Sequence, residues 1–162
     1  MQAEWLAPRA SAEFQIGAER FSGRGYVEHL QLTVPPWRLP IRELRWGRFL
    51  SDSDSLVWID WLGDHTKRIV YRNGARVEAR EIGEERIVLD HPPDVLRFES
   101  AAPLREGRLG ATALAAIPGV HSLFPAGILN VRERKWLSRA SLTRQGGTAS
   151  AGMAVHEVVE WP

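Results

Sequence analysis

Cysteine is absent from all 162 residues, which removes disulfides, thiolate metal sites and a cysteine nucleophile together. No apolar run approaches the length of a membrane span, and residues 1–12 carry Glu4, Pro8 and Arg9 where a secretory signal needs an unbroken apolar stretch. The chain reads as cytoplasmic, with no transmembrane segment. An excess of one charge is lacking too: 21 Lys and Arg stand against 20 Asp and Glu, mixed along the chain for a net +1. Nucleic acid is not an expected partner, because phosphate binding needs a concentrated basic face. The densest basic cluster, Arg132-Glu133-Arg134-Lys135, is broken by an acid and reads as a solvated turn or strand end.

Helix signals are equally scarce. Residues 111–116 are the only alanine-rich piece, and Pro118 stops it within about two turns. No Gly-x-Ser-x-Gly elbow occurs, and Gly23-Arg24-Gly25 lacks the third glycine and the following helix of a dinucleotide site. His29, His65, His91, His121 and His156 are scattered without the spacing of a zinc ligand set. Neither a metal nor a cofactor is expected.

What the chain does have is short runs of β-branched and aromatic residues punctuated by Gly, Pro, Asn and Asp. Ten strands are expected, over residues 12–16, 24–33, 43–50, 56–62, 68–72, 75–80, 85–89, 95–99, 136–142 and 152–161. Asn73-Gly74, between Ile69-Val70-Tyr71 and Ala75-Arg76-Val77, predicts a two-residue hairpin. Ser51-Asp52-Ser53-Asp54-Ser55 and Gly146-Gly147 read as loops, and the prolines of residues 34–40 exclude that stretch from a central strand. The length suits one domain over residues 1–162, a sandwich or a closed barrel, the barrel having the advantage of hiding strand edges.

The two-residue strand period puts Tyr26, Glu28, Leu30 and Leu32 on one face, with Val27, His29, Gln31 and Thr33 on the other. Leu44, Trp46 and Arg48 share a face, as do Trp58 and Asp60, opposite Val57, Ile59 and Trp61. A carboxyl flanked by Trp58 and Trp61 is a candidate for proton transfer, since burial beside aromatics raises its pKa. The alternative for Asp60 is solvent or an arginine partner, and for His29 a structural hydrogen bond. Trp37, Trp46, Trp58 and Trp61 cluster in one window, as core packing or as an aromatic pocket for an apolar ligand. His156-Glu157 reads first as a pair of sheet residues.

Arg20-Phe21-Ser22-Gly23-Arg24-Gly25-Tyr26-Val27-Glu28-His29 resembles the Gly-x-Gly-Tyr-x-Asp/Glu-His stretch of the carotenoid 1,2-hydratase/AttH-type lipocalin-like family. Leu44-Arg45-Trp46-Gly47-Arg48 is similar to that family's Trp-Gly-Arg segment, and Ala154-Val155-His156-Glu157-Val158-Val159-Glu160-Trp161 to its closing strand. The resemblance touches about a third of the chain. It implies an all-β, lipocalin-like (calycin) antiparallel up-and-down β-barrel, of a kind that usually occurs as two halves in tandem. This length holds one, so the chain is a single-barrel relative or pairs with another copy or a second lipocalin-like subunit.

By the same resemblance, the acid–base histidine falls on His29 and its neighbouring acid on Glu28. A Tyr-x-Asp pair is matched by Trp58-Ile59-Asp60, with Trp58 in place of the tyrosine. Leu30-Gln31 also departs from the hydratase pattern after the histidine. The expected function is a cofactor-independent acid–base enzyme, a cyclase, isomerase or hydro-lyase, acting on a large apolar secondary metabolite in the barrel lumen. His29, Asp60 and Glu28 would be catalytic, and Tyr26, Gln31, Trp46, Arg48 and Trp58 would line the substrate site. Two other readings stand beside it: a non-catalytic carrier of an apolar small molecule, and a structural half docking through exposed Ile59 and Trp61.

Overall fold

The computed structural model describes residues 2–31, 33–35, 38–112, 114–115, 118–119 and 124–162. Trp37 and His121 lie outside the described residues. The chain is all-β and divides into two compact units, Met1–Pro36 and Trp37–Pro162.

The first unit is a hairpin of β1 (Gln2–Ile16) and β2 (Glu19–Gln31). Its two-residue turn begins with Gly17 at φ 61°, the left-handed conformation that a tight hairpin needs at its first central position. Directly paired residues share a face, so Ala10 with Gly25, Ala12 with Gly23, and Phe14 with Phe21 make one apolar face. The Phe14 and Phe21 rings stack with centroids 5.1 Å apart and remain exposed.

The second unit contains β3 (Ile41–Ser51), β4 (Ser55–Gly63), β5 (Lys67–Arg72), β6 (Ala75–Val77), β7 (Ala79–Ile82), β8 (Arg86–Leu89), β9 (Val95–Arg108), β10 (Arg132–Thr143) and β11 (Ala149–Glu160). They form one antiparallel sheet in the order β6-β5-β4-β3-β11-β10-β9-β8-β7. Except for β6 and β7, sequence neighbours lie side by side, and the first strand of the sheet pairs with the last, β3 with β11. This is an up-and-down barrel left unpaired between β6 and β7, where only Glu78 separates the two edge strands. At Asn73-Gly74 the φ values of 50° and 83° are those of the expected hairpin turn.

Arginine side chains span the β6–β7 opening. Arg68 on β5 donates from Nη1 to the carbonyls of Ala79 (3.0 Å) and Arg80 (2.8 Å), while Arg45 on β3 donates to the Ile82 carbonyl (2.7 Å). Backbone acceptors that would otherwise face the gap are thereby satisfied.

The pairing register stacks the interior in layers. Ser138, Ala154, Phe49 and Leu56 sit in one row across β10, β11, β3 and β4. Around that row pack Trp58, Val70, Ile82, Ile87, Leu89, Leu96, Ala140 and Leu142, all buried, so this part of the interior is filled with side chains. On the outer face, Val159 and Leu44 are covered by Leu109, Leu114, Phe124, Ile128 and Val131 of the connection between β9 and β10. That connection holds a short 3₁₀ turn, Leu109–Ala111, and one helical turn after Pro125, α1 (Ala126–Leu129), while the alanine-rich piece over 111–116 lies partly outside the described residues.

One end of the barrel is plugged by ions. Asp54 in the β3–β4 loop accepts from Arg72 (Nη2, 3.0 Å) and Arg144 (Nη2, 2.6 Å), and Arg72 also binds Asp94. Asp94 in turn accepts from the backbone N–H of Gln145 (2.9 Å). Burial works against the charge on Asp54, but hydrogen bonds from Ser53, Arg72, Arg144 and Ser150 outweigh it and hold the carboxyl at a pKa of about 2.

Candidate functional site at the open end of the barrel

The end opposite the plug differs from the filled middle. Register places Trp136, His156, Gly47, Trp58 and Val70 in one row across β10, β11, β3, β4 and β5. Gly47 is required there, because a Cβ would lie 2.7 Å from the His156 Cβ and 2.8 Å from Trp58 Cε2. Its missing side chain lets Trp58 and His156 close over the strand.

His156 is 5% exposed, and its Nε2 lies 2.9 Å from Ser138 Oγ. The imidazole stacks with Phe98 (centroids 4.2 Å, 12°) and Trp136 (5.2 Å, 27°), and Phe98 in turn touches Trp58 (5.7 Å). Burial lowers the His156 pKa to about 4, with the charge of Glu84 pulling the other way, so the ring is neutral at neutral pH. Phe98 and Trp136 are half-buried.

One row farther out, the register brings Glu106, Arg134, Val158, Arg45, Asp60 and Arg68 into line across six strands. This is a charged rim above an aromatic floor. Both oxygens of Asp60, which is 1% exposed, are taken by Arg68: Nε to Oδ1 at 3.1 Å and Nη2 to Oδ2 at 2.9 Å. Arg134 forks onto Glu84 of the β7–β8 turn, and its Cζ stands 5.6 Å from the Trp136 ring centre.

Of the residues singled out in the sequence, Trp58 and Asp60 share the inner face of β4, and Asp60 has the arginine partner named as its alternative. Trp46 and Arg48 alternate with the inward Gly47 and Phe49 and so occupy the outer face, where Lys135 Nζ lies 5.6 Å from the Trp46 ring centre. Tyr26 and Glu28 are half-buried on one side of the hairpin, and His29 and Gln31 are exposed on the other. These four belong to the Met1–Pro36 unit, while Asp60 and Trp58 belong to the barrel. Ile59, expected on an exposed docking surface, is buried.

His156 reads from the sequence as one of a pair of sheet residues and not as a site residue, and the reason is physical. In Val155-His156-Glu157-Val158-Val159 apolar residues occupy both faces, because the outer side is covered too, so alternation carries no signal. The signal that was available is Gly47 in a strand interior, which marks a close approach of side chains.

Comparison with protein-family models and with curated proteins returned no match. Among the described residues, no group of three or more His, Asp or Glu could hold a metal ion, and no helix is long and apolar enough to cross a membrane.

Proposed function

We propose that the barrel binds a planar apolar small molecule at the end opposite the ion plug, against the half-buried rings of Trp136 and Phe98, and holds it without converting it. The observation that carries this reading is the layering: half-buried aromatic rings beneath a polar rim, above an interior already filled by side chains. Aromatic floors favour flat ligands by stacking. One feature favours holding over conversion: both oxygens of the Asp60 carboxylate are committed to Arg68.

The test is a fluorescence titration with N-phenyl-1-naphthylamine, followed by recovery of the probe and mass analysis. Saturable binding that weakens in Trp136→Ala, persists in the outer-face variant Trp46→Ala, and returns the probe unaltered is the expected result. Absence of saturable binding would sink the reading.

A second reading, the cofactor-independent acid–base enzyme on an apolar substrate, is favoured by one observation, the Ser138–His156 hydrogen bond beside the aromatic floor. On it, His156 or Asp60 carries the proton transfer. Turnover of an apolar alkene or prenylated substrate that is lost in both His156→Gln and Asp60→Asn would favour it over the carrier.

A further inference from the structure

We infer that the ligand carries a carboxylate and that Arg134 is the residue that recognises it, with Glu84 occupying that position as an intramolecular stand-in. The inference rests on the reading of the open end as a site for a planar apolar molecule.

The geometry of the stand-in comes first. Arg134 Nη1 meets Glu84 Oε2 at 3.1 Å, and Nη2 meets Oε1 at 3.1 Å. This is the two-bond fork by which a guanidinium grips a carboxylate, a match that a point-charge cation does not provide. Glu160 lies farther from the same nitrogen, at 3.6 Å. Arg134 is thus already shaped for a carboxylate, and it stands directly over Trp136. A carboxylate held there brings its apolar body beside the half-buried Trp136.

Replaceability comes second. Arg134 and Glu84 are both partly exposed, and exposed ion pairs contribute little to stability. The β7–β8 turn that carries Glu84 can lose this contact at small cost. A ligand carboxylate gives back the same two hydrogen bonds and adds the burial of its apolar part, which Glu84 does not supply. Each partner also lines an open groove. One, of about 450 Å³, is lined by Arg134, Arg108, Arg132, Glu106, Glu133 and Glu160. The other, of about 620 Å³, is lined by Glu84 and Arg45 among others. Both lie in the size range of small-molecule sites.

A third observation is independent of the fork. Arg108 and Arg132 stand directly opposite each other on β9 and β10, in the first of these grooves. Like charges in that relation repel, and an anion between them relieves the repulsion. Glu106, Glu133 and Glu160 keep the groove near neutral overall, so selectivity comes from the fork and not from a general positive field.

The experiment compares 2-naphthoate with 2-naphthamide, which share a ring system and differ in the charged head, by calorimetric titration of the full chain. Naphthoate is expected to bind about tenfold more tightly, the scale of one charge-assisted bidentate contact. Arg134→Gln should erase that preference, and Arg134→Lys should restore only part of it. Glu84→Gln, by removing the competing carboxylate, should tighten naphthoate severalfold. Equal binding of the two probes by the unmodified protein, a preference that survives Arg134→Gln, or weaker naphthoate binding in Glu84→Gln would overturn the inference while leaving the binding site standing. Failure of both probes to bind would instead remove the site itself.

Discussion

Replacing Asp54 by Asn tests whether the ion plug holds the barrel together. Asp54 is 1% exposed and accepts hydrogen bonds from Arg72, Arg144 and Ser53. Its folded-state pKa of about 2 lies below its ordinary value of 3.8. The folded state therefore favours the charged carboxylate over the neutral acid by about 2 kcal/mol, at 1.36 kcal/mol per pH unit of difference. The sign follows from the depressed value: the stabilisation is complete above pH 3.8 and is lost as pH falls towards 2. Asparagine keeps the shape but loses the charge facing two guanidiniums, and breaking a buried charge network can cost about 3–5 kcal/mol. Arg144 is partly exposed and can turn towards solvent, which puts the expected loss at the lower end, about 2–3 kcal/mol at pH 7. Urea unfolding followed by tryptophan fluorescence at pH 7, 4 and 2.5 measures it. The gap between the two proteins should be widest at pH 7 and 4 and narrow by pH 2.5. A variant within about 0.5 kcal/mol of the parent at pH 7 would refute the assignment of the plug as a stabilising network, and so would a gap that did not narrow in acid.

Three further outcomes are expected. His156 has a folded pKa of about 4 against an ordinary 6.5, so the unfolded chain takes up the proton first and stability falls as pH drops from 6.5 to 4, by about 3 kcal/mol; His156→Phe should flatten stability over that window, and the imidazole signals of His156 should not titrate above pH 5.5 by NMR. Gly47→Ala forces a methyl against Trp58 and the His156 Cβ, for an expected loss of about 1–3 kcal/mol and a changed Trp58 emission, read by thermal unfolding and fluorescence. Asp60→Asn and Arg68→Met should each destabilise by about 2–4 kcal/mol through the buried partner left behind, and the double variant should cost clearly less than their sum in a double-mutant cycle, because neither charge is then stranded.

Most of the fold was legible because strand signals are local. Nine of the ten expected strands are each present as one strand, and the Asn73-Gly74 turn is where its dipeptide required. What was not legible depends on partners distant in the chain. The run expected as one strand over 75–80 is two, β6 and β7, because the barrel opens at Glu78, and no residue there announces an opening. The strand expected to end at residue 99 continues to Arg108 through Ser100 at φ 48°. Ala101-Ala102-Pro103-Leu104 has poor strand character, and long β10 alone provides its pairing partner. Residues 2–11 of β1 were missed for the same reason, their order coming from β2 across the hairpin.

The candidate site was hidden for a related reason. Its members come from β3, β4, β9, β10 and β11, and only the register decides that Trp136, His156, Gly47 and Trp58 form one row. A slip of one residue in β11 would turn His156 outward and Glu157 inward, replacing a neutral stacked ring by a buried carboxylate facing Trp58. That register is pinned from both sides. Outside, Val159 packs against Ile128 and Val131, and inside, Ala154 meets Phe49 while Trp58 and the His156 Cβ close over Gly47. The same pinning sets Arg134 two residues beyond Trp136 on the inner face of β10, and so puts a guanidinium fork over an aromatic floor. The chemistry of the open end is thus a consequence of pairing: the filled interior, the aromatic floor and the charged rim are three successive rows of one register.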